Sequence, residues 1–129
     1  MRILIDTQCW LWLNAHTDRF SRATLRRLES PQTDLLLSAA SVWEMAIKHA
    51  LGKLRLPDRL GDYVSSRMRL TRTRELPVTI GHAAHVGTLP LHHRDPFDRI
   101  LVAQAQVEHL LLLSANAAFE DYDVDVIEP

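Results

Sequence analysis

The chain has 129 residues, 47% of them hydrophobic, which suits one domain, 1–129, around a single core. Its 15 Lys and Arg face 16 Asp and Glu, so no global charge draws it to nucleic acid, and RNA binding would need a local basic surface. The single cysteine, Cys9, excludes an internal disulfide and a cysteine-built zinc cage, and no apolar run approaches the roughly 20 residues that a membrane helix needs. Met1 to Ile5 is also too short for the apolar part of a signal peptide. The expectation is a soluble, cytoplasmic protein that does not bind membranes.

The first apolar run, residues 3–5, ends at Asp6 and predicts a buried strand. A short helix is expected over 21–28, then a second strand over 35–37. Val42, Ala46, Ile47, Ala50 and Leu51 form a helical stripe closed by Gly52, the residue type favoured just past a helix end. Residues 55–57 read as a loop, 60–68 as a short helix, 72–77 as a second loop and 80–87 as another short helix. Asp95-Pro96 opens a helix carrying Ile100, Leu101, Gln104, Val107 and Glu108. Residues 110–113 are a third strand, 117–122 a short helix and 124–127 a last strand. No repeat, low-complexity tract or linker interrupts the chain.

Continuous apolar strands separated by helices predict an α/β fold with a mainly parallel sheet covered on both faces. Such sheets carry their sites beyond the carboxyl ends of the strands. Asp6, Ser38 and Ser114 each follow directly on a predicted strand.

Each acidic candidate also has a structural role open to it. Asp6 suits the cap of a helix beginning near Gln8. Glu44 completes the capping-box pattern Ser41-Val42-Trp43-Glu44; if the helix starts instead at Ser38 or Ala39, Glu44 lies in its second turn and projects over the sheet edge. In Asp95-Pro96-Phe97-Asp98 the first acid is a natural cap, while Asp98 can turn back to the cap or outward into a cleft. Asn116 is placed to cap the short helix that follows it. Were Asp6, Glu44 and Asp98 to converge, their mutual repulsion would raise at least one pKa unless a cation sat among them. A hard dication such as Mg²⁺ or Mn²⁺ takes oxygen ligands, polarises a phosphoryl oxygen and activates water.

At these residues the chain resembles the PIN-domain family, and within it the VapC toxin type of bacterial toxin–antitoxin pairs. The resemblance rests on Ile3-Leu4-Ile5-Asp6-Thr7, on the segment from Ser38 to Lys48, on Leu89 to Arg99 continuing through Ala105, and on Leu112 to Asn116. The His93-Arg94-Asp95-Pro96-Phe97-Asp98-Arg99 block is its most specific part. The resemblance implies a single PIN-like domain with a central parallel sheet, and Mg²⁺-dependent ribonuclease activity with Mn²⁺ as a substitute. Metal ligands would be Asp6, Glu44 and Asp98, with Asn116 joining them as a catalytic residue. It further implies an RNA substrate, hydrolysis by metal-activated water, a cognate antitoxin protein and a homodimer. Many relatives carry Asp where this chain has Asn116, which removes one acid and puts a second metal in doubt. The competing expectation is therefore a catalytically weakened PIN-domain protein that acts mainly by binding an antitoxin. A phosphohydrolase with paired aspartates two residues apart is disfavoured, because Gln8 occupies the second position.

Other residues have plainer readings. Arg67, Arg69, Arg72 and Arg74, and separately Arg22, Arg26 and Arg27, are solvated arginines or an RNA-tracking surface. His82 and His85 read as surface histidines rather than a zinc site. His92 and His93 flank the acidic block, in a loop or within reach of substrate. Trp10, Trp12 and Trp43 read as core by default, or as the lining of an antitoxin groove.

Overall fold

The computed structural model describes residues 1–129. Five parallel strands form one sheet in the order β3-β2-β1-β4-β5: β1 (Arg2–Ile5), β2 (Asp34–Ser38), β3 (Thr73–Leu76), β4 (Leu111–Leu113) and β5 (Val126–Ile127). The helices are α1 (Thr7–Ala15), α2 (Arg22–Glu29), α3 (Ala39–Ala50), α4 (Leu60–Thr71), α5 (Ile80–Val86) and α6 (Pro96–Glu108). Short 3₁₀ turns cover Thr17–Arg19 and Ala117–Asp121. No helix is long and apolar enough to cross a membrane.

Strand geometry distributes the apolar runs. Successive side chains point to opposite faces, so Leu4, Leu36 and Leu112 join one buried cluster while Ile3, Ile5, Leu35, Leu37 and Leu113 join the other. The first cluster takes in Leu101, Val102 and Ala105 of α6; the second takes in Trp10 of α1, Met45 of α3, and Tyr63 and Val64 of α4. A run buried on both faces shows no alternation, which is why these segments read as continuous hydrophobic blocks.

The expected fold class is borne out, with one strand in a place read as loop. Residues 73–76, inside the 72–77 segment, pair in parallel with β2 from Leu35↔Thr73 to Ser38↔Leu76. This is an edge strand, Thr-Arg-Glu-Leu, and only Thr73 and Leu76 are buried. Its central Arg74 and Glu75 hid the apolar signal. Arg72 precedes it in the left-handed region at φ 54, ending α4 without the glycine that usually marks such a stop. The last strand is shorter than expected, Val126–Ile127, and the helix expected over 117–122 is instead a 3₁₀ turn, Ala117–Asp121.

Chain order places the site. β2 and β4 flank β1 on opposite sides, so the chain's direction of winding reverses at β1. Helices α1, α3 and α4 cover one face, and α6 with its partner α5 covers the other. The crevice at such a reversal, beyond the strand carboxyl ends, is where open parallel sheets place their sites. Asp6 follows β1 there, and Ser114 follows β4 beside it, with Asp6 N donating to Leu113 O at 3.0 Å.

Candidate functional site

Asp6 both caps a helix and faces the crevice. Its Oδ1 accepts from Cys9 N at 2.8 Å, the expected cap of α1, and its Oδ2 accepts from the Ser114 hydroxyl. The residue is only 7% exposed. Burial raises its pKa and the Glu44 charge adds to the rise, opposed by the hydrogen bonds from Ser114 and Cys9.

The earlier start of α3 decides Glu44. Ser38 is the cap, its hydroxyl accepting from Ala40 N at 3.0 Å, so Glu44 stands in the second turn and not at a capping position. Ser41 is buried inside the helix and its hydroxyl has no partner. The Glu44 carboxyl is turned to Lys48 one turn on, with Oε2 2.6 Å from Nζ.

Asp95 is the cap of α6: its Oδ1 accepts from Phe97 N at 2.9 Å and Asp98 N at 3.3 Å, with Pro96 at the first helical position. Asp98 turns outward into the cleft. Burial, with the nearby Asp95 charge and more distant contributions from Glu44 and Asp6, pushes its pKa up to about 6, against an opposing effect from His93. His93 Nε2 lies 3.1 Å from Asp98 Oδ2 but off a hydrogen-bonding line, leaving a buried nitrogen without a donor or acceptor partner.

The loop bearing His93 is tied down by Arg99, which is 8% exposed and meets no carboxylate. Its guanidinium donates to the carbonyls of Val86 (3.2 Å), Pro90 (2.9 Å) and His93 (3.4 Å) and to the Tyr122 hydroxyl (3.3 Å). A planar fork with five donors suits such a set of carbonyls.

Asp6, Glu44, Asp98 and Asn116 line one open cavity of about 340 Å³, together with Thr7, Gln8, Lys48 and Lys53. The structure thus brings the four candidate residues to a single place. It does not draw them into a ready-made ligand set: no three His, Cys, Asp or Glu side chains stand close enough together to hold a metal ion. Glu44 is committed to Lys48 and both oxygens of Asp6 accept hydrogen bonds. Asn116 is exposed and its Oδ1 accepts from Ala118 N at 3.0 Å, the expected cap of the turn that follows. The chemistry of the donors suits a hard dication all the same. They are all-oxygen, partly shielded from water, and two of them have raised pKa values, which a cation would relieve.

Three neighbours escaped sequence reasoning: Lys48, Lys53 and the contact of His93 with Asp98. The i, i+4 spacing of Glu44 and Lys48 was the one available signal. One reading is corrected. His82 is not a surface residue but 1% exposed, accepting from Thr79 N at its Nδ1 and meeting Glu108 Oε1 at 2.9 Å through Nε2. Trp10 is fully buried, as core packing predicts, whereas Trp43 is 62% exposed and packs edge-on against Phe97.

Fold and cavity define a single-sheet parallel α/β protein with a carboxylate-lined pocket at its topological switch point. The chain belongs to the PIN domain family, whose model matches residues 3–125. It is 45% identical over 58 residues to Ribonuclease VapC16 of Mycobacterium tuberculosis, a stretch covering 45% of this chain and 41% of that relative. In structure it is similar to VapBC2 from Rickettsia felis, solved bound to a DNA fragment from their promoter, with a TM-score of 0.73, 13% identity, and 99% and 98% of the two chains covered. It is also similar to FitAcB from Neisseria gonorrhoeae, with a TM-score of 0.65, 23% identity, and 97% and 96% covered. At these identities the two structural likenesses speak for the fold.

Proposed function

We propose that the protein is a metal-dependent endoribonuclease, the toxin of a VapC-type toxin–antitoxin pair, with Asp6, Glu44 and Asp98 as its metal ligands. The observation that carries this reading is the meeting of these residues from β1, α3 and α6 around one cavity at the sheet's carboxyl edge. The 45% identity to a ribonuclease over 58 residues supports the activity, and the likeness to VapBC and FitAcB structures supports a protein partner.

A bound Mg²⁺ or Mn²⁺ would supply Lewis-acid polarisation of an RNA phosphodiester and a water activated for attack. The chain's own residues do the rest. Ser114 and the Cys9 N–H fix the Asp6 carboxyl, and the Asp95 cap with the Arg99-held loop fixes the start of α6, from which Asp98 projects. To join the ligand set, Glu44 must leave Lys48. Asn116, whose Oδ1 caps the turn that follows, keeps its amide N–H groups to orient water without adding charge. The exposed α3 stripe Trp43, Ile47 and Leu51 offers apolar surface for a second copy, consistent with a homodimer.

One observation favours the alternative of a weakened enzyme that works mainly by holding an antitoxin. Asn116 brings no negative charge to the cavity, and its side-chain oxygen already accepts from Ala118 N as the cap of the 3₁₀ turn. Cleavage of a structured RNA separates the two readings. The nuclease cuts with Mg²⁺, stops with EDTA, and is inactive as Asp98→Asn. A folded wild-type protein that binds neither Mn²⁺ nor Mg²⁺ and leaves RNA intact fits the alternative.

A further inference from the structure

The pocket carries both signs of charge. Asp6, Glu44 and Asp98 line it together with Lys48 and Lys53, which come from the end of α3 and the turn after it. Lys48 is engaged with Glu44, whereas Lys53 makes no ion pair. The backbone of Lys53 is nevertheless firmly held. Gly52, at φ 72, takes the left-handed position that ends α3; its N–H donates to His49 O at 3.1 Å, and Lys53 N donates to Lys48 O at 2.9 Å. These two bonds make a Schellman motif. Leu54 then returns toward the core, its carbonyl 2.9 Å from His49 Nδ1. A lysine that lines an acidic pocket is thus fixed by its backbone, with its charge uncommitted.

We propose that Lys53 receives a phosphate of the RNA backbone next to the one that meets the carboxylates. The inference deepens the nuclease reading and takes its ligand class from it. A phosphodiester is an anion approaching three acids, and an ammonium lining the same pocket offsets that repulsion. Lys53 is a positioning residue: it makes and breaks no bond. An ammonium is a point charge with three donors, so it sets affinity and register and leaves base choice to other contacts.

The test measures binding of a fluorescein-labelled short single-stranded RNA in EDTA at several salt concentrations, alongside Mn²⁺ titration without RNA and cleavage with Mn²⁺. Lys53→Ala should weaken RNA binding several-fold and make the salt dependence shallower by about 0.7 in log–log slope, the loss of one single-strand phosphate contact. Lys53→Arg should restore the slope. Mn²⁺ binding should be no weaker than in wild type, and in cleavage the KM should rise while kcat holds. Arg59→Ala removes the same charge from an exposed position outside the pocket and should leave the slope unchanged. If wild type cuts RNA while Lys53→Ala keeps its affinity and slope, or if Arg59→Ala shifts both equally, the lysine assignment alone is overturned. A wild-type protein that neither binds nor cuts RNA overturns the nuclease reading, and the role of Lys53 with it.

Discussion

Ser114 donates its hydroxyl hydrogen to Asp6 Oδ2, joining residues 108 apart in sequence across the ends of neighbouring strands β1 and β4. Both residues are buried, so little water is available to replace the bond. Ser114→Ala leaves a buried carboxyl short of one donor and removes a partner of Asn116 N. The expected loss is about 1.5–3 kcal/mol, the range for a hydrogen bond to a charged group, read by urea unfolding at neutral pH. An unchanged midpoint would mean that Asp6 finds equivalent solvation without the serine.

Asp98 makes stability depend on pH in a defined direction. Burial first, then neighbouring negative charge, raises its pKa to about 6 from the ordinary 3.8, so between those values the folded chain binds more protons than the unfolded one. The stability this contributes is fully present below about pH 4 and is lost as pH rises through 6. In EDTA, the wild-type Tm should therefore fall across this window more steeply than that of Asp98→Asn. Parallel profiles would show that the carboxyl is not perturbed.

Lys48 competes for Glu44. The pair is an i, i+4 ion pair with the lysine half in solvent, so Lys48→Met should change stability by no more than about 0.5 kcal/mol. Freed from the ammonium, Glu44 should take part in binding Mn²⁺ more readily, and calorimetry should report tighter binding. Unaltered Mn²⁺ affinity would remove Glu44 from the ligand set or Lys48 from its role as competitor.

Arg99 is a tether with four acceptors. Arg99→Ala leaves the carbonyls of Val86 and Pro90 without this donor and unlatches the segment leading to His93. Breaking such a buried charged network costs about 3 kcal/mol, and amide exchange over residues 88–95 should rise more than elsewhere. Uniform protection in the variant would place the loop's order in other contacts.

Most of the sheet was legible because its inner strands are buried on both faces, and 3–5 and 35–37 are uninterrupted apolar runs. β3 was not, because an edge strand with Arg74 and Glu75 exposed has no such run. The acids were legible as candidates and ambiguous as to role: Asp6 caps α1 and faces the pocket at once, so the two readings were never exclusive. Glu44 turned on a single detail, the hydroxyl of Ser38 capping α3 three residues before Ser41. His82 misled because its environment is assembled from Thr79 and Glu108, and the latter is 26 residues away. Trp43 lies on the outer side of α3, away from buried Ala40, Ser41 and Met45, against the usual preference of tryptophan for the core.

The central claim is that carboxylates from β1, α3 and α6 act together on one divalent ion. Calorimetric titration of Mn²⁺ into wild type, Glu44→Gln and Asp98→Asn, each verified as folded, tests it most directly. The account predicts saturable binding by wild type that is lost or greatly weakened in both variants. Absence of binding to wild type, or variants that bind as wild type does, would contradict it.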